Sequence, residues 1–197
     1  MKNNRVSPWY NYVEMTELYE NHEAIWSRTR CYSWREAHDR AIQWAHFFLS
    51  KGVKPGDLVA TYLMNSAEFL VLWLGLWCIG CAPAMLNFNL KGEAMIHCLK
   101  VCEAKLLIVD EEPECRERFE EVRSAVENEL GVEAHYLDTE FERHIATFST
   151  TDPGDSYREN VKGEDPSGLL YTRLVVFSLP LVESTSILFS ERLLTRE

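Results

Sequence analysis

The sequence predicts an α/β protein, a doubly wound and mostly parallel sheet flanked by helices. Three observations carry that expectation. Short apolar runs alternate with helical patterns along the chain, the connections between them are short, and one stretch reads as a complete strand, helix, strand unit. That stretch is Gly56 to Asn89, GDLVATYLMNSAEFLVLWLGLWCIGCAPAMLNFN.

In chain order, the first twenty residues hold Trp9, Tyr10, Tyr12 and Tyr19 without a sustained period, and are expected to form a loosely docked arm, 1–20. Ala24 to Trp26 and Cys31-Tyr32 are expected to pair as a hairpin across Ser27 to Arg30. Ser33-Trp34-Arg35-Glu36 is a capping box, in which the serine hydroxyl meets the third helical N–H and the glutamate reaches back. The helix it opens places Ala37, Ala41, Trp44, Ala45, Phe48 and Leu49 on one face and ends at Gly52. Pro55-Gly56-Asp57 then turns the chain into a buried strand, Leu58 to Leu63. Asn65 and Ser66 offer side-chain oxygens to a helix start, and Glu68 sits where the positive end of the helix dipole favours an acid. That helix runs to about Ile79, Gly80 caps it in a left-handed conformation, and Ala82 to Leu86 is the parallel partner strand.

Beyond this unit, Asn89 is expected to cap a helix from Lys91 to Cys102, and Lys105 to Val109 is a third strand. Pro113 opens a helix to Leu130 with Phe119, Val122, Val126 and Leu130 inward, closed by Gly131. Val132 to Leu137 is a fourth strand. Asp138 to Asp165 reads as less ordered, with a helical turn near Thr139 to Ile145 and a turn-rich linker at Thr150 to Ser156. Leu169 to Tyr171 is a further brief strand, and from Arg173 the character changes to apolar clusters without clean period.

The composition narrows the function classes. At 197 residues, 46% hydrophobic and 26% charged, the chain has the size of one globular domain, or of one domain with a remnant of another. A net charge of −11, from 31 acids against 20 bases, argues against nucleic acid or an anionic membrane surface as a bulk partner. Met1-Lys2-Asn3-Asn4-Arg5 is not followed by an apolar core, which argues against a secretory signal, so the six cysteines are expected as free thiols in an intracellular, reducing compartment. Phe69 to Leu86 is uncharged, but Gly80 and Pro83 divide it. The helix that remains, roughly 18 Å long, falls short of a hydrocarbon core of about 30 Å, so no transmembrane span is expected.

Few residues suggest chemistry. Cys78, Cys81, Cys98 and Cys102 come close to zinc spacing, yet Cys78 lies in the apolar helix, the first pair lacks a polar knuckle, and Cys98 with Cys102 at i,i+4 in another helix are read as small buried side chains rather than ligands. Cys78-Ile79-Gly80-Cys81 straddles a helix C-terminus, where no dipole lowers a thiol pKa as redox chemistry requires. His22, His38, His46, His97, His135 and His144 show neither metal nor triad spacing. Asp110, Glu111 and Glu112 can hold magnesium at a strand end, or form a solvated loop before Pro113; the loop is the reading preferred. Neither GxGxxG nor a Walker A sequence occurs. No catalytic residue and no metal ligand is assigned.

Several segments taken together resemble the amino-terminal part of the AMP-forming acyl-CoA synthetases, in the branch of very-long-chain acyl-CoA synthetases and fatty-acid transport proteins. They are Tyr32-Ser33-Trp34-Arg35-Glu36, Gly52 to Ala60, Asn65 to Phe69, Trp73 to Leu76, Ile79-Gly80, Asn87 to Leu90 and Ala104 to Asp110. The resemblance covers roughly Tyr19 to Thr172. It implies a partial amino-terminal ligase domain at 21–172, an incomplete sheet, and a non-family tail at 173–197. It also implies a family reaction in which ATP, with Mg, activates a long or very long fatty acid as an adenylate that passes to CoA. An address at the endoplasmic reticulum, peroxisome or lipid-droplet membrane follows from the same resemblance, with peripheral membrane association or a plain cytoplasmic location as the alternatives.

The family's strand ending in tyrosine and threonine runs into Ser-Gly-Thr-Thr-Gly, whose small residues let the backbone cradle ATP phosphates. Here Leu169-Leu170-Tyr171-Thr172 is followed by Arg173-Leu174-Val175-Val176. Thr172 is therefore the one nucleotide-binding candidate, at the start of an interrupted loop. The chain is expected to be a truncated product that binds none of the family's cofactors well and is inactive alone; a non-catalytic interaction or membrane-peripheral module is the alternative. The uncharged run Leu174 to Val182 is expected to be prone to aggregation if exposed.

Overall fold

The computed structural model describes residues 6–27, 30–172 and 175–180. Helix α1 (Pro8–Tyr19) is followed by the antiparallel hairpin β1 (Glu23–Trp26) and β2 (Cys31–Ser33), then by helix α2 (Trp34–Ser50). The alternating part follows as β3 (Leu58–Tyr62), α3 (Ala67–Cys78), β4 (Ala82–Met85), α4 (Glu93–Cys102), β5 (Leu106–Asp110), α5 (Pro113–Glu120), β6 (Glu133–Leu137) and α6 (Thr139–Ile145). Strands β7 (Pro166–Thr172) and β8 (Val175–Pro180) complete a sheet of order β6-β5-β3-β4-β7-β8. Its first five strands are parallel, and β8 returns antiparallel along β7. The predicted fold class is thus the observed one.

Alternate residues of the strands feed two cores. Val59, Leu63, Leu106 and Ile108 face α2 and α3, while Ala60, Tyr62, Leu107 and Val109 face α4 and α5. Both faces of the parallel sheet are covered, which is why its strands read as continuous apolar runs.

The local signals held where they rest on backbone chemistry. Ser33 and Glu36 form the reciprocal capping box on α2, and Ser66 accepts the Phe69 N–H at 3.1 Å on α3. Gly80 has φ +68°, and a Cβ there would lie 2.4 Å from the Tyr157 carbonyl oxygen, so only glycine fits both the turn and the neighbour. Gly75 serves packing instead. A Cβ on it would come within 2.6 Å of the Ala41 carbonyl oxygen, and its absence lets α3 lie directly on the backbone of α2.

Four expectations are corrected. The first twenty residues are not a loose arm: Pro8–Tyr19 is a helix, capped by Ser7, with Trp9 fully buried and stacked on His38. Periodicity missed it because only Trp9 and Thr16 are buried along it. Asn89 caps nothing. Its own N–H donates to Asn87 Oδ1 in a tight turn, and α4 starts at Glu93 after Gly92. The helix expected from Pro113 to Leu130 ends at Glu120, and Ala125–Glu129 form a π turn closed by the Leu130 N–H on the Ala125 carbonyl. That wide turn still brings Val122 and Val126 inward beneath Phe119.

The fourth correction concerns the linker alone: α6 falls at Thr139–Ile145 where a helical turn is expected, but the turns after it are pinned rather than less ordered. Arg158 is buried and donates to both carboxylate oxygens of Asp152 at 2.9 and 3.0 Å, to Asp155 at 2.8 Å and to the Cys78 carbonyl at the end of α3 at 2.9 Å. Trp9 donates to the same Asp152 at 3.3 Å. Burial opposes ionisation of Asp152, yet the Arg158 bonds hold its carboxyl below the usual range. One ion pair thereby fastens α1, α3 and the linker together. Of the run Leu174 to Val182, residues 175–180 form β8 and the rest lies outside the described residues.

Candidate functional site

An open α/β sheet binds ligands beyond the carboxyl ends of its strands, where successive connections leave in opposite directions. In this sheet the connection after β3 runs through α3 on one face, and that after β5 runs through α5 on the other. The switch point therefore lies between β3 and β5. A cleft of about 800 Å³ opens there, lined by residues that follow β3 (Met64 to Leu70), those that follow β5 (Asp110 to Glu112), and Trp26, Arg30, Leu137 and Glu142.

The floor of the cleft is a buried ionic cluster. Glu68, placed by the first turn of α3, accepts hydrogen bonds from Arg40 Nε at 2.6 Å, Trp44 Nε1 at 2.7 Å and the Tyr32 hydroxyl at 2.7 Å. Arg40 also donates to the Glu142 carbonyl at 3.2 Å, so the cluster reaches α6. At the mouth, Arg30 lies 3.8 Å from Glu68 and 3.4 Å from Glu142, and its guanidinium covers the Tyr32 ring. Burial, then the Glu68 charge, pushes the Glu142 carboxyl above its usual range, and burial likewise raises the Tyr32 phenol. Both carboxylate oxygens of Glu68 are engaged, Oε1 by Arg40 and Trp44 and Oε2 by Tyr32. The cluster therefore ties the hairpin β1–β2, α2, α3 and α6 to one another.

Sequence reasoning assigned Glu68 to the helix dipole and missed its partners. The missed signal was Arg40, which falls on the inward stripe of α2 between Ala37 and Trp44; a buried guanidinium demands a buried carboxylate. Met64, Leu70 and Trp26 remain exposed at the cleft rim, Trp26 at 74%.

The residues singled out from sequence do not converge here. Asp110 reaches the cleft, but its two oxygens accept the Met64 N–H at 2.8 Å and the Glu112 N–H at 3.0 Å, tying the ends of β3 and β5 together. None of the six histidines lines the cleft. Cys78 and Cys81 belong to the core under α3, and Cys98 and Cys102 to the core on the opposite face, so the sheet separates the two pairs. Burial raises their thiols, that of Cys81 to about 12. Thr172 ends β7, with β4 between it and β3, and pairs with Val175; its hydroxyl lies outside the described atoms.

The fold is a mostly parallel α/β sheet covered by helices on both faces, with a cleft at the carboxyl ends of β3 and β5. The chain belongs to the AMP-binding enzyme family, whose profile matches residues 14–172. It is 33% identical over 170 residues to a very long-chain fatty acid transport protein of Cochliobolus heterostrophus, covering 85% of this chain and 26% of that one. It is 40% identical over 114 residues to isopenicillin N epimerase component 1 of Hapsidospora chrysogena, covering 57% of this chain and 19% of that one. The chain thus spans about a fifth to a quarter of the length of these relatives.

Solved structures agree on the fold. A fatty acyl CoA synthetase of Mycobacterium tuberculosis superposes with a TM-score of 0.75 at 18% identity, covering 90% of this chain and 35% of that one. A benzoate CoA ligase from Burkholderia xenovorans LB400 does so at 0.76 and 16% identity, covering 90% and 35%. The expected family resemblance is borne out by the profile and by the fatty acid transport protein relative, and the expected fold by the solved structures. Among the described residues no helix is long and apolar enough to cross a membrane.

Proposed function

We propose that this region is the scaffold half of the adenylating domain of a long or very long-chain fatty acid–CoA ligase, and that residues 1–197 alone do not catalyse the reaction. The whole enzyme would join a fatty acid to CoA through an acyl-adenylate, using ATP and Mg, at an intracellular membrane such as the endoplasmic reticulum, peroxisome or lipid droplet. The observation that carries the proposal is the pairing of Thr172 with Val175. Strand β7 passes through only two residues into β8, where the family's strand opens into a loop of glycine and hydroxyl residues. Adenylation depends on stabilising charge on the transferring phosphates, and Thr172 is the one residue of that loop kept by sequence. Neither the switch-point cleft nor its ionic floor supplies a replacement, since Arg30 is paired with Glu142.

The test uses purified chain with ATP, Mg, CoA and labelled long- and very-long-chain fatty acids. No acyl-CoA above a protein-free blank is expected; ATP-dependent product would overturn the proposal. A second reading, a non-catalytic interaction or peripheral membrane module, draws support from exposed Trp26, Met64 and Leu70 around the cleft. Flotation of the chain with neutral and anionic vesicles, repeated with Trp26→Ala, tests it: co-flotation lost in the variant supports that reading, and no flotation removes it.

A further inference from the structure

The switch-point cleft is amphipathic and short of positive charge. On the side that follows β3 it presents Met64, Phe69 and Leu70, with Trp26 at the rim, 74% exposed and its indole N–H held by Glu23 at 2.9 Å. On the side that follows β5 it presents Glu111 and Glu112. Both are exposed, and neither carboxylate takes part in an ion pair or hydrogen bond among the described residues. Glu68, Asp110 and Glu142 bring the acids of the lining to five, against the guanidiniums of Arg30 in the lining and Arg40 behind Glu68. Those two cations are already engaged, Arg40 by Glu68 and Arg30 by Glu142 at 3.4 Å. A volume of about 800 Å³ admits several side chains of a partner.

We propose that this cleft docks a basic amphipathic segment of another protein, its apolar side chains against Met64, Leu70 and Trp26 and its lysines or arginines against Glu111 and Glu112. The inference rests on the interaction-module reading and names its partner. Charge separates the classes of partner. The phosphates of an anionic membrane or of a nucleic acid meet these carboxylates with like charge, and the net −11 of the chain adds to the repulsion, whereas a cationic segment is drawn in by both. Exposed ion pairs are individually weak, so the acids alone hold nothing, and the apolar rim alone is indifferent to what covers it. A helix with an apolar stripe at three- and four-residue spacing and cations beside it answers both sides of the cleft at once.

Fluorescence anisotropy of labelled peptides titrated with the full chain at two salt concentrations is the experiment. The probes are an amphipathic leucine–lysine helix, its leucine–glutamate counterpart, and a lysine–serine peptide that keeps the charge without the apolar face. Saturable binding of the first alone is expected, weakened by salt. Trp26→Ala should weaken it by about tenfold and the double variant Glu111→Gln, Glu112→Gln by roughly three- to tenfold, with the circular-dichroism spectrum unchanged. Glu14→Gln with Glu17→Gln makes the same change of charge on the exposed face of α1, outside the cleft, and should leave binding as it was. An equal loss in that control would reduce the effect to bulk charge and overturn the proposal, as would binding that the cleft variants do not change. Equal binding of the lysine–serine or the leucine–glutamate peptide would also overturn it. If no peptide binds while vesicles float the chain through Trp26, the partner named here is wrong and the interaction module stands; if neither binds, both fall.

Discussion

The two faces of the parallel sheet meet the same demand for burial with different chemistry. Under α2 and α3, charges are taken inside: Glu68 is bound by Arg40, Trp44 and Tyr32, and Asp152 by Arg158 and Trp9. Under α4 and α5 the core is aliphatic side chains, thiols and Phe119, with tyrosine hydroxyls donating to main-chain carbonyls, Tyr62 to Phe88 at 2.6 Å and Tyr171 to Cys98 at 3.0 Å. A core of the first kind specifies which elements sit together, because a buried charge tolerates no other partner. A core of the second kind supplies burial and tolerates exchange.

Glu68→Ala probes that difference hardest. It leaves Arg40 charged and unpaired in the core and should cost about 3–5 kcal/mol in urea unfolding. A loss smaller than that of a methyl deletion on the α4 face would end the distinction between the faces. Asp152→Asn comes next, at about 1–3 kcal/mol near neutrality, because it weakens charged hydrogen bonds from Arg158. Its pH dependence has a defined sign. The folded carboxyl sits below its ordinary value of 3.8, so its contribution is complete above that value and is lost as pH falls through the lower folded one. The difference between wild type and variant should therefore narrow in acid; a gap that widens would contradict the clamp. Cys98→Ala on the opposite face should cost only about 1 kcal/mol. Native alkylation should modify exposed Cys31 alone, since the other five thiols are buried and Cys115 is pushed up to about 11.

Much of this fold was legible because local chemistry dictated it. Ser33 with Glu36, Ser66, Gly80 and the apolar strands each announce an element within a few residues, and the short connections between them give the parallel order. What escaped reading was decided by distant neighbours. The burial of Trp9 depends on Asp152 far along the chain, and Glu68 became a buried hub through Tyr32 and Arg40 on other elements. The cleft was foreseeable only as a strand-end location, because its position between β3 and β5 follows from strand order. The departure from the Ser-Gly-Thr-Thr-Gly pattern of the resembled family, by contrast, is plain in Arg173-Leu174 after Thr172.

Trp73 and Trp77, one turn apart on α3, both donate their indole N–H to a single acceptor, the Ser167 carbonyl on β7, at 2.9 and 2.8 Å. A carbonyl oxygen has two lone pairs, and here one helix occupies both. Gly168 beside it leaves room for the Trp73 ring, which a Cβ would approach to 3.2 Å. The molecule thus carries its own optical gauge of strand attachment. When β7 lifts from the sheet two indoles lose their partner in the same event, and their emission should move together as one step, ahead of any change in the remaining four tryptophans.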